Sequence, residues 1–335
     1  MTQVPAAQPD GARYGAFFSQ LGRYVPQLTA LGSLLALFVV GAFVIQGFAS
    51  VSSIDAVLIL SAFLGIGSIG QTGAILLGGI DLSIPFVMDT SNVLSAQLSQ
   101  DGWPFLAAAL LAVAVGAGIG AFNGYLSSRL RVHPLIVTLG IGYLAQGAVE
   151  MWTNGNPSGV APTWLGSVAA EGTRIAGVQI APIVVIWAVI VVLVLIALRS
   201  TAFGRRLRAM GSNPRAAELA LISRVRIWTL TFMLSGIFAS IAGILLLGFS
   251  GSASAIVGDP YLFLAVGAVV VGGTSLSGGR GGYGGTVLGA IMLTILSTIL
   301  VGVGYSASVQ QLLVGVIILI VVASFGREAH VRDRV

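Results

Sequence analysis

The sequence predicts an all-α polytopic membrane protein with about ten transmembrane segments, eight at the fewest. Three observations lead there. Hydrophobic residues make up 56% of the 335 positions and charged residues only 8%, whereas a soluble domain carries about 25% charged residues to cover its exterior. Several apolar runs reach the roughly 20 residues that a helix needs to cross a bilayer. The arginines all lie outside these runs, in the polar breaks between them and in the two tails.

The runs lie at about 28–47, 54–77, 84–99, 104–126, 134–152, 181–198, 228–249, 261–277, 284–304 and 308–325. The segment before the first lacks the short apolar core and small-residue cleavage site of a signal peptide, so Leu28 to Gln46 is expected to be retained as a span. The third run is short and contains Asp89, Ser91 and Asn92, which fits a half-span or re-entrant piece as well as a full crossing. Ten crossings from a cytoplasmic N-terminus put Arg13, Arg23, Arg129, Arg131, the seven arginines from Arg199 to Arg226, Arg280, Arg327, Arg332 and Arg334 on one side. Only Arg174 falls outside, as the positive-inside bias requires. The expected organisation is a cytoplasmic N-terminal tail, 1–26, one transmembrane domain, 27–326, with a long cytoplasmic loop, 199–227, and a cytoplasmic C-terminal tail, 327–335.

Composition excludes much chemistry. There is no cysteine, hence no disulfide and no thiolate metal site. His133 and His330 are the only imidazoles, too few for a histidine metal cluster, and no metal site is expected. All sixteen basic residues are arginine. A phosphate-binding P-loop needs its lysine, and a Schiff base needs a lysine amine, so neither is available. If ATP hydrolysis drives this protein, another subunit supplies it. Serines are plentiful, but no histidine is placed to serve one as base, so no catalytic residue is expected. The net charge of +5 belongs to membrane orientation rather than to nucleic acid.

Four stretches stand out. In "ILLGGIDLSIP", residues 75–85, Gly78 and Gly79 loosen a helix and Pro85 removes a backbone donor, while Asp81 needs water, a partner or backbone donors. Asp81 with Ser83 is expected to cap the helix that follows; direct contact with a polar substrate is the other reading. A weak echo, "GGTSLS" at 272–277, follows another aliphatic run and leaves an internal repeat open. Within the loop 199–227, Asn213 fits an N-cap and Pro214 the first helical position of a short helix of about two turns, Asn213–Ile222. A capped helix among seven arginines reads as a docking element for a partner rather than as a loop that only sets topology. The Gly-rich "GGTSLSGGRGGYGG", 272–285, lacks the lysine of a phosphate cradle and reads as close packing and a hinge. "FNGYLSSRLRVHPLIVTLG", 122–140, reads as a cytoplasmic connection, and "WTNGNP", 152–157, as an extracytoplasmic turn.

At these residues the sequence resembles the permease subunits of ribose-type ABC importers. The resemblance rests on "GGIDLS" (78–83), "FNG" with "HPLIVTLG" (133–140), "TNG" (153–155), "FGRRLRAMGSNPRAAELALI" (203–222) and "AVVVGGTSLSGGRG" (268–281), in the family's order across residues 60–320. It implies a multi-pass protein of the bacterial cytoplasmic (inner) membrane that passes a monosaccharide along a path between two permease subunits. An extracytoplasmic sugar-binding protein delivers the ligand, and an ABC ATPase subunit carries the ATP and Mg; this chain itself binds no cofactor. The coupling segment would be carried by Gly204, Gly211, Asn213, Pro214, Ala216, Ala217 and Glu218. The pathway and its gate would involve Gly78, Gly79, Asp81, Ser83, Asn123, Gly272, Gly273 and Ser275. Two departures are plain. Ala220-Leu221-Ile222 stands where the family has Ser-Gly-Ile, a change that points to a particular ATPase partner, and "IPFVMDTSNV" replaces a run of small residues.

Two rivals make distinct predictions. An ion-coupled transporter would use Asp81, Asp89 or Glu150 as its coupling carboxylate, and a membrane enzyme acting on lipid-linked substrates would cluster acids or histidines on one face.

Overall fold

The structure, a computed structural model, describes residues 31–170, 172–175 and 177–325. The beginning of the first expected run and both expected tails lie outside those residues.

All ten apolar runs lie on helices: α1 (Leu31–Val44), α2 (Val51–Leu76), α3 (Ile84–Gln100), α4 (Phe105–Leu130), α5 (Pro134–Thr153), α7 (Pro182–Ser200), α10 (Arg224–Ser250), α11 (Tyr261–Val271), α12 (Tyr283–Gly302) and α13 (Ala307–Phe325). Three shorter helices join them: α6 (Thr163–Val168), α8 (Ala202–Ser212) and α9 (Pro214–Leu219). A minimal antiparallel pair, β1 (Arg174–Ile175) with β2 (Val178–Gln179), precedes α7. Among the described residues six helices, α2, α4, α5, α7, α10 and α12, are long and apolar enough to cross a membrane. With its 17 residues, α3 spans about 25 Å, less than a hydrocarbon core of about 30 Å. The eighth run shortens on folding, because α11 stops at Val271 and residues 272–282 turn back on themselves.

The interior is organised around α2 and α10, which pack against each other while α10 also covers α3 and α4. Glycines set these approaches. Gly116, Gly120 and Gly124, one helical turn apart on α4, meet Ser240, the Phe232 carbonyl and the Trp228 carbonyl of α10, leaving no room for a side chain. Gly70 of α2 sits against Ser235 of α10, and Gly243 of α10 against the Met88 carbonyl of α3. Close backbone approach through small residues is the usual way for helices to associate where apolar burial alone gives no preference. Around these seams Ile59, Phe63, Ile66, Met88, Trp187, Ala239 and Ala242 form the largest buried cluster. A buried polar tie joins three helices: Trp187 Nε1 on α7 donates to Tyr283 Oη on α12 at 3.0 Å, and Tyr283 donates to the Gly65 carbonyl on α2 at 2.9 Å.

Two sequence expectations are corrected. Asn123 and Gly124 do not break the chain: α4 runs through them to Leu130, and the connection shrinks to Arg131–His133, with Arg131 at φ +55°. Tertiary packing overrides their turn preference, since Gly124 is pressed on the Trp228 carbonyl and the Asn123 amide has a partner on Ser83. The arginine-rich loop 199–227 is mostly helix. α8 buries Leu207, Met210, Gly204 and Gly211 while Arg205 and Arg206 face out, and Thr201 caps it by accepting from Gly204 N at 3.2 Å. "WTNGNP" is a turn as expected, with Asn154 at φ +50° and Gly155 at φ +73°.

Candidate functional site

α2 ends in a double hydrogen bond that needs a left-handed residue. Gly78 N donates to Ile75 O and Gly79 N to Ala74 O, both at 2.9 Å, with Gly78 at φ +79°. This glycine-terminated stop is the one expected where a helix must halt abruptly. α11 ends the same way: Gly273, at φ +83°, donates to Val270 O and Thr274 N to Val269 O. The matching glycines are therefore Gly78 and Gly273, one residue out of register with the sequence echo. Shared capping chemistry is enough to explain the echo, and the register shift weakens it as a sign of duplication.

Beyond that stop the chain runs through a buried polar junction. Asp81 Oδ1 accepts from Ser83 N at 2.9 Å and from Ser83 Oγ at 2.6 Å. Asn123 Nδ2 on α4 donates to Ser83 Oγ at 2.9 Å. Leu82 N donates to Thr138 Oγ1 on α5 at 3.0 Å, and Asp81 N to Gln71 Oε1 on α2 at 3.3 Å. Ser83 holds the N-cap position of α3, but its side chain makes no capping bond; it is spent on Asp81 and Asn123. Asp81 thus braces the N-cap residue of α3 instead of capping the helix's own amides, and four helices share one small network. Gln71 Nε2, Asn123 Oδ1 and Ser127 Oγ, all buried, have no protein partner there.

The second Gly-rich stretch closes on the same end of α2. Gly279 N donates to Leu76 O at 2.9 Å, and Gly278, at φ +83°, lies against the backbone of Gly78, Leu76 and Gly211. Gly272 and Gly285 face each other so closely that neither tolerates a Cβ. Ser275 N donates to Arg280 O at 3.1 Å, and Ser275 Oγ accepts from Ser277 N at 3.3 Å. Arg208 Nη1 on α8 donates to Gly281 O at 3.1 Å. α8 is seated by Gly211, directly on the Leu76 carbonyl, and by Gly204 on the Leu198 carbonyl. α9 follows after Asn213, whose Oδ1 accepts from Ala216 N at 3.0 Å as the sequence predicts for an N-cap.

The sequence-predicted residues thus fall into two sets at one end of the molecule. Gly204, Gly211 and Ala217 turn inward, whereas Asn213, Pro214, Ala216 and Glu218 are exposed. A bulky charge at Gly211 or Ala217 would dislodge the loop from the body before it touched any partner. Sequence reasoning missed Gln71, which lies in no motif, and gave no role to Thr138 and Arg208, although both lie inside quoted motifs. α8 did leave a signal: Phe203, Leu207 and Met210 recur at helical spacing behind Thr201.

At the opposite end of α2, Asp55 is buried and accepts from Ala181 N at 2.9 Å and Gly172 N at 3.2 Å, fastening the β1–β2 segment. The polar face of α3 does similar work. Asp89 Oδ1 accepts from Gly258 N at 2.7 Å, Asn92 Oδ1 from Ser254 N at 2.9 Å, and Gln97 Oε1 from Ser158 N at 3.1 Å. The residues that set this sequence apart after "GGIDLS" therefore hold the connection between α10 and α11. In that connection, burial raises the Asp259 carboxyl above its ordinary range. Among the described residues no group of three or more His, Asp or Glu side chains is placed to hold a metal ion.

Residues 53–322 match the family described as branched-chain amino acid transport system / permease component. The chain is 33% identical over 298 residues to the ribose import permease protein RbsC of Bacillus subtilis, covering 87% of this chain and 91% of that one. It is 34% identical over 306 residues to the probable ABC transporter permease protein YphD of Escherichia coli, 90% of each chain. Against the fructose import permease protein FrcC of Rhizobium meliloti it is 32% identical over 304 residues, 89% of this chain and 84% of that one. No solved structure matches. Matched over most of its length by the family and by these relatives, the chain belongs to the branched-chain amino acid transport system permease components.

Proposed function

We propose that this protein is the transmembrane permease subunit of an ATP-binding cassette importer, forming the translocation path for a monosaccharide of the pentose or hexose class. It is a multi-pass protein of the bacterial cytoplasmic membrane. The relatives that transport ribose and fructose support the substrate class. ATP and Mg act on a separate ATPase subunit, a second permease completes the pathway, and an extracytoplasmic binding protein supplies the sugar.

The observation that carries the mechanism is the seating of α8–α9 on the end of α2. Displacement of α9 would be passed through Gly211 to Leu76, and through Arg208 to the 278–281 turn. From Leu76 the junction at Asp81 links α2 to α3, α4 and α5 through Ser83, Asn123 and Thr138. An ATPase that grips α9 would in this way move several helices together and expose the path to either side in turn. The reading places ten crossings with both termini in the cytoplasm. It is supported by the gathering of Arg131, His133, Arg208, Arg224 and Arg280 near the Leu76 end of α2, while Arg174 lies with the Asp55 end. Of the three carboxylates the ion-coupled alternative would use, Asp81 accepts from Ser83, Asp89 Oδ1 from Gly258 and Glu150 from Gln146, while the buried Asp89 Oδ2 has no partner among the described residues.

Reconstitution in proteoliposomes tests the proposal. Sugar accumulation should require the cognate ATPase, the binding protein and ATP together. Accumulation driven by a proton or sodium gradient with this chain alone would refute it.

A further inference from the structure

α9 ends in a way that its own sequence makes costly. Leu221 N donates to Glu218 O and Ile222 N to Ala217 O, both at 3.0 Å, and between them Leu221 stands at φ +59°. This is the same double-bonded stop that Gly78 and Gly273 make for α2 and α11, but with a leucine in the left-handed position. An L residue with a branched side chain is disfavoured there, and glycine would satisfy both hydrogen bonds without that penalty. Nothing among the described residues repays it, since Leu221 is 94% exposed, and Leu219, two residues earlier, is 86% exposed. Among the described residues Leu221 is the most exposed large hydrophobic side chain. The opposite face of α9 is fixed: Ala217 is buried with Leu207, Met210 and Trp228, and Ile222 packs beside them.

We propose that Leu219 and Leu221 form the apolar anchor by which this permease selects its ATPase, filling a socket with an apolar floor and a carboxylate rim on that subunit. The inference rests on the reading of α9 as the docking element and adds the chemistry of what it docks into. The acidic rim follows from charge complementarity, because Arg205, Arg206, Arg215 and Arg226 are exposed on the same short segment. A strained backbone kept at a fully exposed site points to a contact outside the chain. A lipid surface is the poorer occupant. α9 has six residues and carries exposed Asn213 and Glu218, too short and too polar on its free side for an interfacial helix.

The test measures binding of the purified cognate ATPase to the full-length permease, both in detergent micelles and in nanodiscs of one part phosphatidylglycerol to three of phosphatidylethanolamine. Leu221→Gly removes the side chain and relieves the backbone, so the permease should melt no lower than wild type while ATPase affinity falls about tenfold or more, as for an apolar side chain lost from a buried socket. Leu219→Ser should weaken binding by a similar factor. Ala216→Arg, exposed on α9 one turn before Leu219, reports on docking itself. If the leucine variants bind like wild type while Ala216→Arg does not, the anchor is refuted and docking by α9 stands. If all three bind like wild type, both fall. If the leucine variants lose affinity in nanodiscs only, the contact is with lipid, and the anchor is refuted.

Discussion

Replacing Asp81 by alanine should destabilise the permease through Ser83. The substitution removes the acceptor of two buried donors, the Ser83 amide at 2.9 Å and the Ser83 hydroxyl at 2.6 Å. A buried donor left without a partner costs about 1–3 kcal/mol. The hydroxyl can rotate, so its share belongs at the low end, and relief of a desolvated carboxylate offsets part of the rest. A net loss of about 2–3 kcal/mol follows, which for a chain of this size is a fall in melting temperature on the order of 3–4 °C. Asp81→Asn keeps one side-chain oxygen in place to accept both bonds and should lose much less. Ser83→Ala should resemble Asp81→Ala, because it strands Asn123 Nδ2, and the double variant Asp81→Ala/Ser83→Ala should cost clearly less than the sum of the two. Thermal unfolding of a fluorescently tagged protein, followed by size-exclusion chromatography in detergent, reads these shifts. The reasoning fails if Asp81→Ala melts with wild type, or if Asp81→Asn falls as far as Asp81→Ala.

Three further outcomes follow from the packing. Gly120→Leu should abolish recovery of folded protein, since any side chain there meets the Phe232 carbonyl, whereas Gly118→Leu, with nothing within 4 Å, should be recovered like wild type; the monodisperse peak on size exclusion distinguishes them. Asn92→Ala should free the Ser254 amide and leave the Gly243 carbonyl without its side-chain donor, so hydrogen exchange across 252–258 should accelerate several-fold while α2 stays protected. Asn213→Ala removes the cap of α9, worth about 1 kcal/mol, and should speed exchange at Ala216 about fivefold with little change in the melting of the whole protein.

Helices were legible in this sequence because apolar length is their signal: the ten runs fell on helices, six of which, among the described residues, are long and apolar enough to cross a membrane. Their ends were less so, for reasons that differ residue by residue. Asn213 could be read as a cap because its bond is local, three residues along the same chain. Asn123-Gly124 was read as the start of a connection because both residues are satisfied from elsewhere, by Ser83 and by the closeness of α10, and no local rule contains either partner. α8 hid behind its arginines; a count of charges sees a loop, whereas the apolar spacing of Phe203, Leu207 and Met210 describes one face of a helix.

The glycines show where this limit lies. Gly78 and Gly273 looked like halves of a repeat, yet each is explained by the two hydrogen bonds that end its own helix. What no single motif states is that the first of these ends receives the backbone of the other Gly-rich turn: Gly279 bonds to Leu76, and Gly211 of α8 sits on the same carbonyl. Gly211 of α8 and Gly278–Gly279 of the second turn, far apart in sequence, are glycines where they approach that one carbonyl, and a Cβ at any of the three would force the seat open. Sequence reading finds such glycines one at a time as breakers. Only their meeting turns them into a joint, and a joint at the base of the capped α9 is what a chain with no lysine for a P-loop needs if it is to be moved from outside.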